Sequence, residues 1–316
     1  MNTNSLAILA TLLAIPAFAG EPASGKTPVP PPPPSDPFAL ARRPITNPTL
    51  FDLAIPRTNI HPIFMYQSLP DKVSTTLGEL PVGGDFQVYA IQAEYAFNDK
   101  LSLVATKDGY IDFNPDATFA TDEGFANTAA GLKYVLLARP EAGYAMSGTA
   151  TVEVPLGDSE VWQGEGDGAI NIILNNLKMA GDWQFANSIG ARIPFSDGDS
   201  TIGFGSAHLS YALTEKFMPL VEVNWFHVLD DESGESRFSN QVGRAVPAVA
   251  QFEGGDLVNL GSSHATDNAD IVTVAAGFCY ILTDSIELGA AFELPLTNDL
   301  DNLMEYRITA DLVWKC

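Results

Sequence analysis

The chain has 316 residues, 46% of them hydrophobic, and a formal net charge of −23 from 16 Lys and Arg against 39 Asp and Glu. That balance excludes a nucleic-acid partner, because neutralising phosphates takes a basic patch that so few cations cannot assemble. Its two cysteines, Cys279 and Cys316, form neither a disulfide framework nor a zinc spacing.

Residues 1–19 read as a cleaved export signal. The apolar stretch over 6–19 is too short to span a bilayer, and Ala17, Phe18 and Ala19 give a small-residue site before Gly20. Residues 1–5 depart from the usual pattern in carrying no Lys or Arg. Residues 20–60 follow as a Pro-rich periplasmic spacer, partly disordered, in which the proline run at 30–34 favours an extended polyproline II chain. No later apolar run approaches the length of a membrane helix, so crossing a membrane requires a closed barrel.

From residue 61 to 316 the chain reads as an all-β, up-and-down antiparallel transmembrane β-barrel of about 12 strands. Strands are expected at 61–67, 86–97, 101–107, 129–137, 144–154 and 169–179, then at 183–194, 202–213, 217–228, 271–282, 286–296 and 304–314. Connections alternate: short ones at Asn98, Arg139, Gly181, Thr214 and Thr283, long ones at 68–85, 108–128, 155–168, 195–201, 229–270 and 297–303. A soluble sandwich has no physical reason to sort loop length by parity, whereas outer-membrane barrels keep short turns on the periplasmic side.

Each strand alternates with period two. Trp183, Phe185, Ile189, Ala191 and Ile193 oppose Gln184, Ser188 and Arg192, and Ile286, Leu288, Ala290, Phe292 and Leu294 oppose Glu287 and Glu293. A Lys or Arg facing lipid costs about 2–4 kcal/mol near the midplane, so the charged face belongs inside. The lumen candidates are Glu94, Lys133, Glu153, Asn171, Asn175, Arg192, His208, Glu222, Asn224, Glu287, Glu293, Glu305, Arg307 and Asp311. Their acidic excess suits a cation-preferring pore. The same charges could instead pair across the lumen as a structural plug, and the two readings stand side by side.

Other motifs are weaker. The acidic clusters at 164–169 and 196–200 lack the ligand spacing of a calcium loop, and neither metal nor cofactor is expected. His208 lies between Ser206 and Ser210 on one strand face, which alone does not make a nucleophile with its base, so an enzyme is not the expected reading. The connection over 229–270 is too long to be idle and reads as a constriction, a cap or disordered chain. A disulfide between Cys279 and Cys316 is not expected, since their strand parities differ.

The stretches "IHPIFMYQSLP" at 60–70, "PLVEVNWFHV" at 219–228, "FEGGDLVNLG" at 252–261, "ELGAAFELPLT" at 287–297 and "YRITADLVW" at 306–314 resemble outer-membrane β-barrels of the group labelled after the MetA pathway of phenol degradation. That resemblance implies export, a barrel and the passage of small solutes, aromatic or hydrophobic ones among them. It carries no catalytic or ligand residue. Expected partners are the lipid bilayer, lipopolysaccharide and the barrel insertion machinery, although Lys315 and Cys316 follow Trp314 where such barrels stop on an aromatic. The alternatives to a solute channel are a non-conducting structural or surface-interaction barrel and, more weakly, a barrel hydrolase.

Overall fold

The computed structural model describes residues 36–75, 78–161, 163–164, 166–197, 199–230, 237–239, 245–247, 270–297 and 303–316. The export signal, the proline run and most of the connection over 229–270 lie outside the described residues. Eighteen strands are present among the described residues: β1 (Asn59–Ser68), β2 (Lys72–Thr75), β3 (Gly78–Pro81), β4 (Gly84–Ala96), β5 (Leu101–Lys107), β6 (Tyr110–Pro115), β7 (Asp122–Phe125), β8 (Thr128–Arg139) and β9 (Tyr144–Val154). The remainder are β10 (Ala169–Ala180), β11 (Trp183–Pro194), β12 (Thr201–Tyr211), β13 (Phe217–Asp230), β14 (Arg237–Ser239), β15 (Ala245–Pro247), β16 (Asp270–Thr283), β17 (Ile286–Pro295) and β18 (Tyr306–Lys315).

Antiparallel neighbours follow one another around the sheet, and β1 closes it by pairing with both β18 and β4. Counting β5 and β6 as one interrupted strand, the barrel has twelve staves. Closure satisfies the backbone groups that an open edge would leave exposed, the condition for a sheet in hydrocarbon. The hairpins β2–β3 and β14–β15 and the short β7 belong to the long connections.

The short turns are set by local chemistry. Asn98 Oδ1 accepts the amides of Lys100 and Leu101, Thr214 Oγ1 those of Lys216 and Phe217, and Thr283 Oγ1 those of Ser285 and Ile286. Between β10 and β11 the chain reverses over Gly181 and Asp182, with Gly181 at φ 59°, a left-handed conformation that glycine adopts without a Cβ penalty. Both chain ends of the barrel, Asn59 and Lys315, face each other at this short-turn end.

The third stave departs from expectation. The reading placed a loop from residue 108 onward, but the strand resumes as β6 after a break at Asp108 and Gly109. β4 pairs with β5 over Ala93 to Ala96 and with β6 over Gly84 to Tyr89, and in the gap Asp108 Oδ1 accepts the Ile91 amide. Gly109 has φ 137° and leans on Tyr89 and Ala90, a close approach of backbone to backbone that a side chain would obstruct.

The outer face is apolar, carrying exposed Ile91, Leu103, Leu132, Val152, Ile172, Phe185, Val221, Phe292, Ile308 and Trp314. Towards the short turns these join aromatic contacts, with ring centroids 5.3 Å apart for Tyr95 and Phe97 and 4.7 Å apart for Trp183 and Tyr211. A continuous apolar exterior with aromatic clusters near its rim is what a lipid-embedded barrel presents. The described residues contain no helix long and apolar enough to cross a membrane.

Inside, the barrel is filled. Towards the long connections an apolar sector gathers Ile63, Met65, Phe86, Val88, Ile111 and Phe113 from the wall with Leu69, Val82, Phe119 and Leu303 from the connections. Elsewhere the filling comes from the chain itself. Residues 36–58, which the sequence reading assigned to a spacer outside the barrel, enter the lumen, and the whole run from Ala41 to Ala54 is buried. The boundary at residue 60 is therefore displaced, because these residues belong to the barrel's interior.

Candidate functional site

The inserted segment is a re-entrant loop whose two limbs both start at the short-turn end. Phe38 and Ala41 on one limb and Phe51, Leu53 and Ala54 on the other pack against Ala145, Leu177, Met179 and Ala186. At its tip the Phe51 amide donates to the Asn47 carbonyl at 2.9 Å, closing a turn, while Leu50 reaches Ile173, Phe204, Phe226 and Met304. Arg57 ties the limbs together by donating to the carbonyls of Ala41, at 2.8 Å, and of Phe38. Pro44 and Pro48 lack amide donors, so the loop takes part in no ladder and its remaining polar groups must find partners on the wall.

Those partners come from staves all around the barrel. Glu222 on β13 accepts the amides of Ile45 at 3.0 Å and Thr46 at 2.8 Å, and the Thr46 hydroxyl at 2.6 Å. Gln184 on β11 both accepts the Arg42 amide and donates to its carbonyl, each at 2.7 Å. Lys133 on β8 pairs with Asp52 at 2.7 Å and donates to the Leu53 carbonyl at 3.1 Å. Asn47 reaches Ser206, and Asn224 donates to Thr46 at 2.9 Å. Arg42 pairs with Glu287 at 3.1 Å, and Arg43 with Asp52 at 3.2 Å and more distantly with Glu94 at 3.9 Å. Every one of these groups is out of water, where a charge left without a partner would cost several kcal/mol.

Thirteen of the fourteen residues singled out from the sequence point inward from their staves. Glu94 pairs with Lys133 at 2.8 Å, Glu153 with Lys107 at 2.8 Å and with Arg192, and Glu293 with Arg307 at 2.6 Å. Asp311 meets His61 at 2.7 Å, Asn171 donates to Thr151, and Asn175 accepts the Asp52 amide. Glu305 is the exception: it precedes β18, is exposed, and accepts a bond from the Ser68 hydroxyl. Its parity matches Arg307, but parity governs direction only where the ladder exists. Asp199, from the cluster at 196–200, pairs with Arg192 at 2.8 Å.

Register aligns several of these into one polar row. Ser147, Asn175, Ser188, Ser206, Asn224 and Thr273 are successive cross-strand partners on β9 to β13 and β16. Asp52, Asn47 and Thr46 of the re-entrant loop bond to Asn175, Ser206 and Asn224 of that row. Sequence reasoning missed the loop's contribution because it shows no two-residue period. The signal available was chemical: an acidic lumen series needs cations, and Arg42, Arg43 and Arg57 stand just upstream.

His208 and Glu222 face each other directly across β12 and β13 at 2.7 Å, and the other imidazole nitrogen lies 2.9 Å from Ser210 Oγ. Hydroxyl, imidazole and carboxylate thus lie in the order of a nucleophile, base and orienter. Glu222, however, is already engaged by three donors of the re-entrant loop, and Ser210 is buried behind Gln184 and Arg42. Of the trio, Glu222 alone bonds to the loop, and His208 backs it from the wall. Cys279 is buried and Cys316 exposed, both as free thiols.

The fold has known counterparts. An outer membrane channel from Pseudomonas putida F1 is similar over 82% of this chain and 95% of its own, at 13% identity and a TM-score of 0.55. The NanC porin matches over 82% of this chain and 100% of its own, at 8% identity and a TM-score of 0.47, and the β domain of the Bordetella autotransporter BrkA over 82% and 100%, at 11% and 0.40. At these identities the likeness concerns architecture alone: the first of these shares the closed antiparallel β-barrel seen here. No protein-family model matches the chain, and no curated sequence matches it significantly.

Proposed function

We propose that the protein is an outer-membrane channel for small polar solutes, held closed by its own residues 36–58. The observation that carries this reading is the chemistry of the loop-to-wall contact. A barrel built only as a scaffold gains most from an apolar core, since replacing buried ion pairs with apolar groups is neutral or stabilising by about 1–4 kcal/mol. This interior instead keeps the polar row from Ser147 to Thr273, whose Asn175, Ser206 and Asn224 bond to the loop, and the carboxylates Glu94, Glu222 and Glu287, which the loop also meets. A re-entrant loop can withdraw without breaking the sheet. The wall that remains is a hydrated polar path.

The polar row argues against a hydrophobic solute along this path and for one that exchanges hydrogen bonds with hydroxyls and amides. The short turns and both chain ends belong on the periplasmic side, so the loop opens towards the periplasm. Lipopolysaccharide and the insertion machinery remain the partners expected of such an exterior.

The test is planar-bilayer conductance of the full chain and of a variant lacking residues 36–57. The full chain should open rarely and in small steps, and the deletion should conduct persistently. A deletion variant that runs as a folded, heat-modifiable barrel yet passes no current would refute the channel.

A further inference from the structure

The re-entrant loop brings a cluster of donors to the wall over residues 42–46. Three wall carboxylates, on β4, β13 and β17, are approached from the loop only by nitrogen and hydroxyl donors: Glu222 by the Ile45 and Thr46 amides and the Thr46 hydroxyl, Glu287 by the Arg42 guanidinium, and Glu94 by that of Arg43. Each carboxylate also keeps wall partners: His208 for Glu222, Lys315 for Glu287, and both Lys133 and Ser102 for Glu94. Withdrawing the loop would free acceptor capacity above all on Glu222 and Glu287. The wall's buried side chains number six carboxylates, Glu94, Glu153, Asp199, Glu222, Glu287 and Glu293, against four cations, Lys107, Lys133, Arg192 and Arg307. Arg42 and Arg43 add two positive charges to this interior and the loop's buried Asp52 one negative, so the loop narrows the deficit from two to one.

We infer that residues 42–46 occupy the position of the cargo, and that the cargo is a small cation bearing a guanidinium or ammonium group with neighbouring N–H donors. This rests on the channel reading and names the solute for the same path. Once the loop is out, water reaches the wall carboxylates without neutralising them, so the lumen keeps a negative field that favours a cation. A solute that offers the same donors replaces the loop at little net cost and shifts the population towards the withdrawn state. A neutral sugar offers hydroxyls but no charge, and an anion adds repulsion. At the short-turn end a small cavity, with room for about one water, lies among Arg43, Asp52, Arg57, Glu94 and Glu287 beside the loop's own arginines.

The experiment uses the full chain in liposomes, with Asn47→Cys as a reporter in a Cys316→Ser background, since Cys279 is buried. L-Argininamide, glucose and sodium glutamate are compared as probes for isosmotic flux and for labelling of position 47 by a water-soluble maleimide. Argininamide should raise labelling several-fold and pass at least tenfold faster than glutamate, with glucose leaving labelling unchanged. Glu222→Gln should abolish the response, and Glu287→Gln makes the same test should the first variant fail to fold. Conduction in which glutamate or glucose equals argininamide would overturn the cargo assignment and leave the channel standing. Absence of flux for every probe, in the loop deletion as well, would remove both.

Discussion

Arg307 of β18 holds the carbonyl oxygen of Thr46 at 2.7 Å through the same guanidinium nitrogen that meets Glu293 at 2.6 Å. The last stave thereby grips the loop that precedes the first. Arg307 is fully buried, so its charge depends on partners inside the barrel.

Arg307→Met leaves Glu293 as a buried carboxylate without its cation and should cost about 3–5 kcal/mol. The temperature at which the compact form is lost in heat-modifiable gel mobility should fall clearly. Arg307→Met combined with Glu293→Gln should recover most of the loss, and a double variant no better than the single one would count against the pair.

Gly289 faces the loop. A Cβ there would overlap Asp311 Oδ1 and sit 2.8 Å from Ile45 Cδ1. Gly289→Ala should therefore loosen both the His61–Asp311 pair and the loop. Trypsin reads the result, because Arg42 is followed by Arg43 and is buried in the native protein. Cleavage after Arg42 should be slow in the native chain and at least tenfold faster in the variant.

Leu132 is half exposed on the outer face of β8, one position from the buried Lys133. Leu132→Arg places a charge on the lipid side at an expected cost of about 2–4 kcal/mol. The folded fraction in lipid vesicles should drop, while detergent micelles, which let the side chain reach water, should show a smaller effect.

Ser210 lies 2.9 Å from the His208 imidazole, so a serine-directed fluorophosphonate tests whether the trio has any nucleophilic character. Labelling should be absent in the native protein. Labelling that disappears in Ser210→Ala and His208→Ala would make the barrel a hydrolase.

The staves were legible because each carries a strict alternation that water and lipid impose on opposite faces, as in Tyr306, Ile308 and Trp314 against Arg307 and Thr309. The third stave was read only to Lys107, since Asp108 and Gly109 look like a turn. The period in fact resumes at Ile111 and Phe113. Residues 36–58 escaped altogether: their contacts are long-range pairs such as Arg42 with Gln184 and Ile45 with Glu222, which no local pattern encodes. Glu305 erred for the opposite reason, a pattern extended one residue beyond the strand that gives it meaning.

The re-entrant loop touches staves from β4 to β18 yet is joined covalently to β1, and the barrel closes where β1 meets β18. Parting the two edges would therefore strain the loop's hold on the far staves as well as the ladder itself, so the loop acts as an internal clasp across the seam.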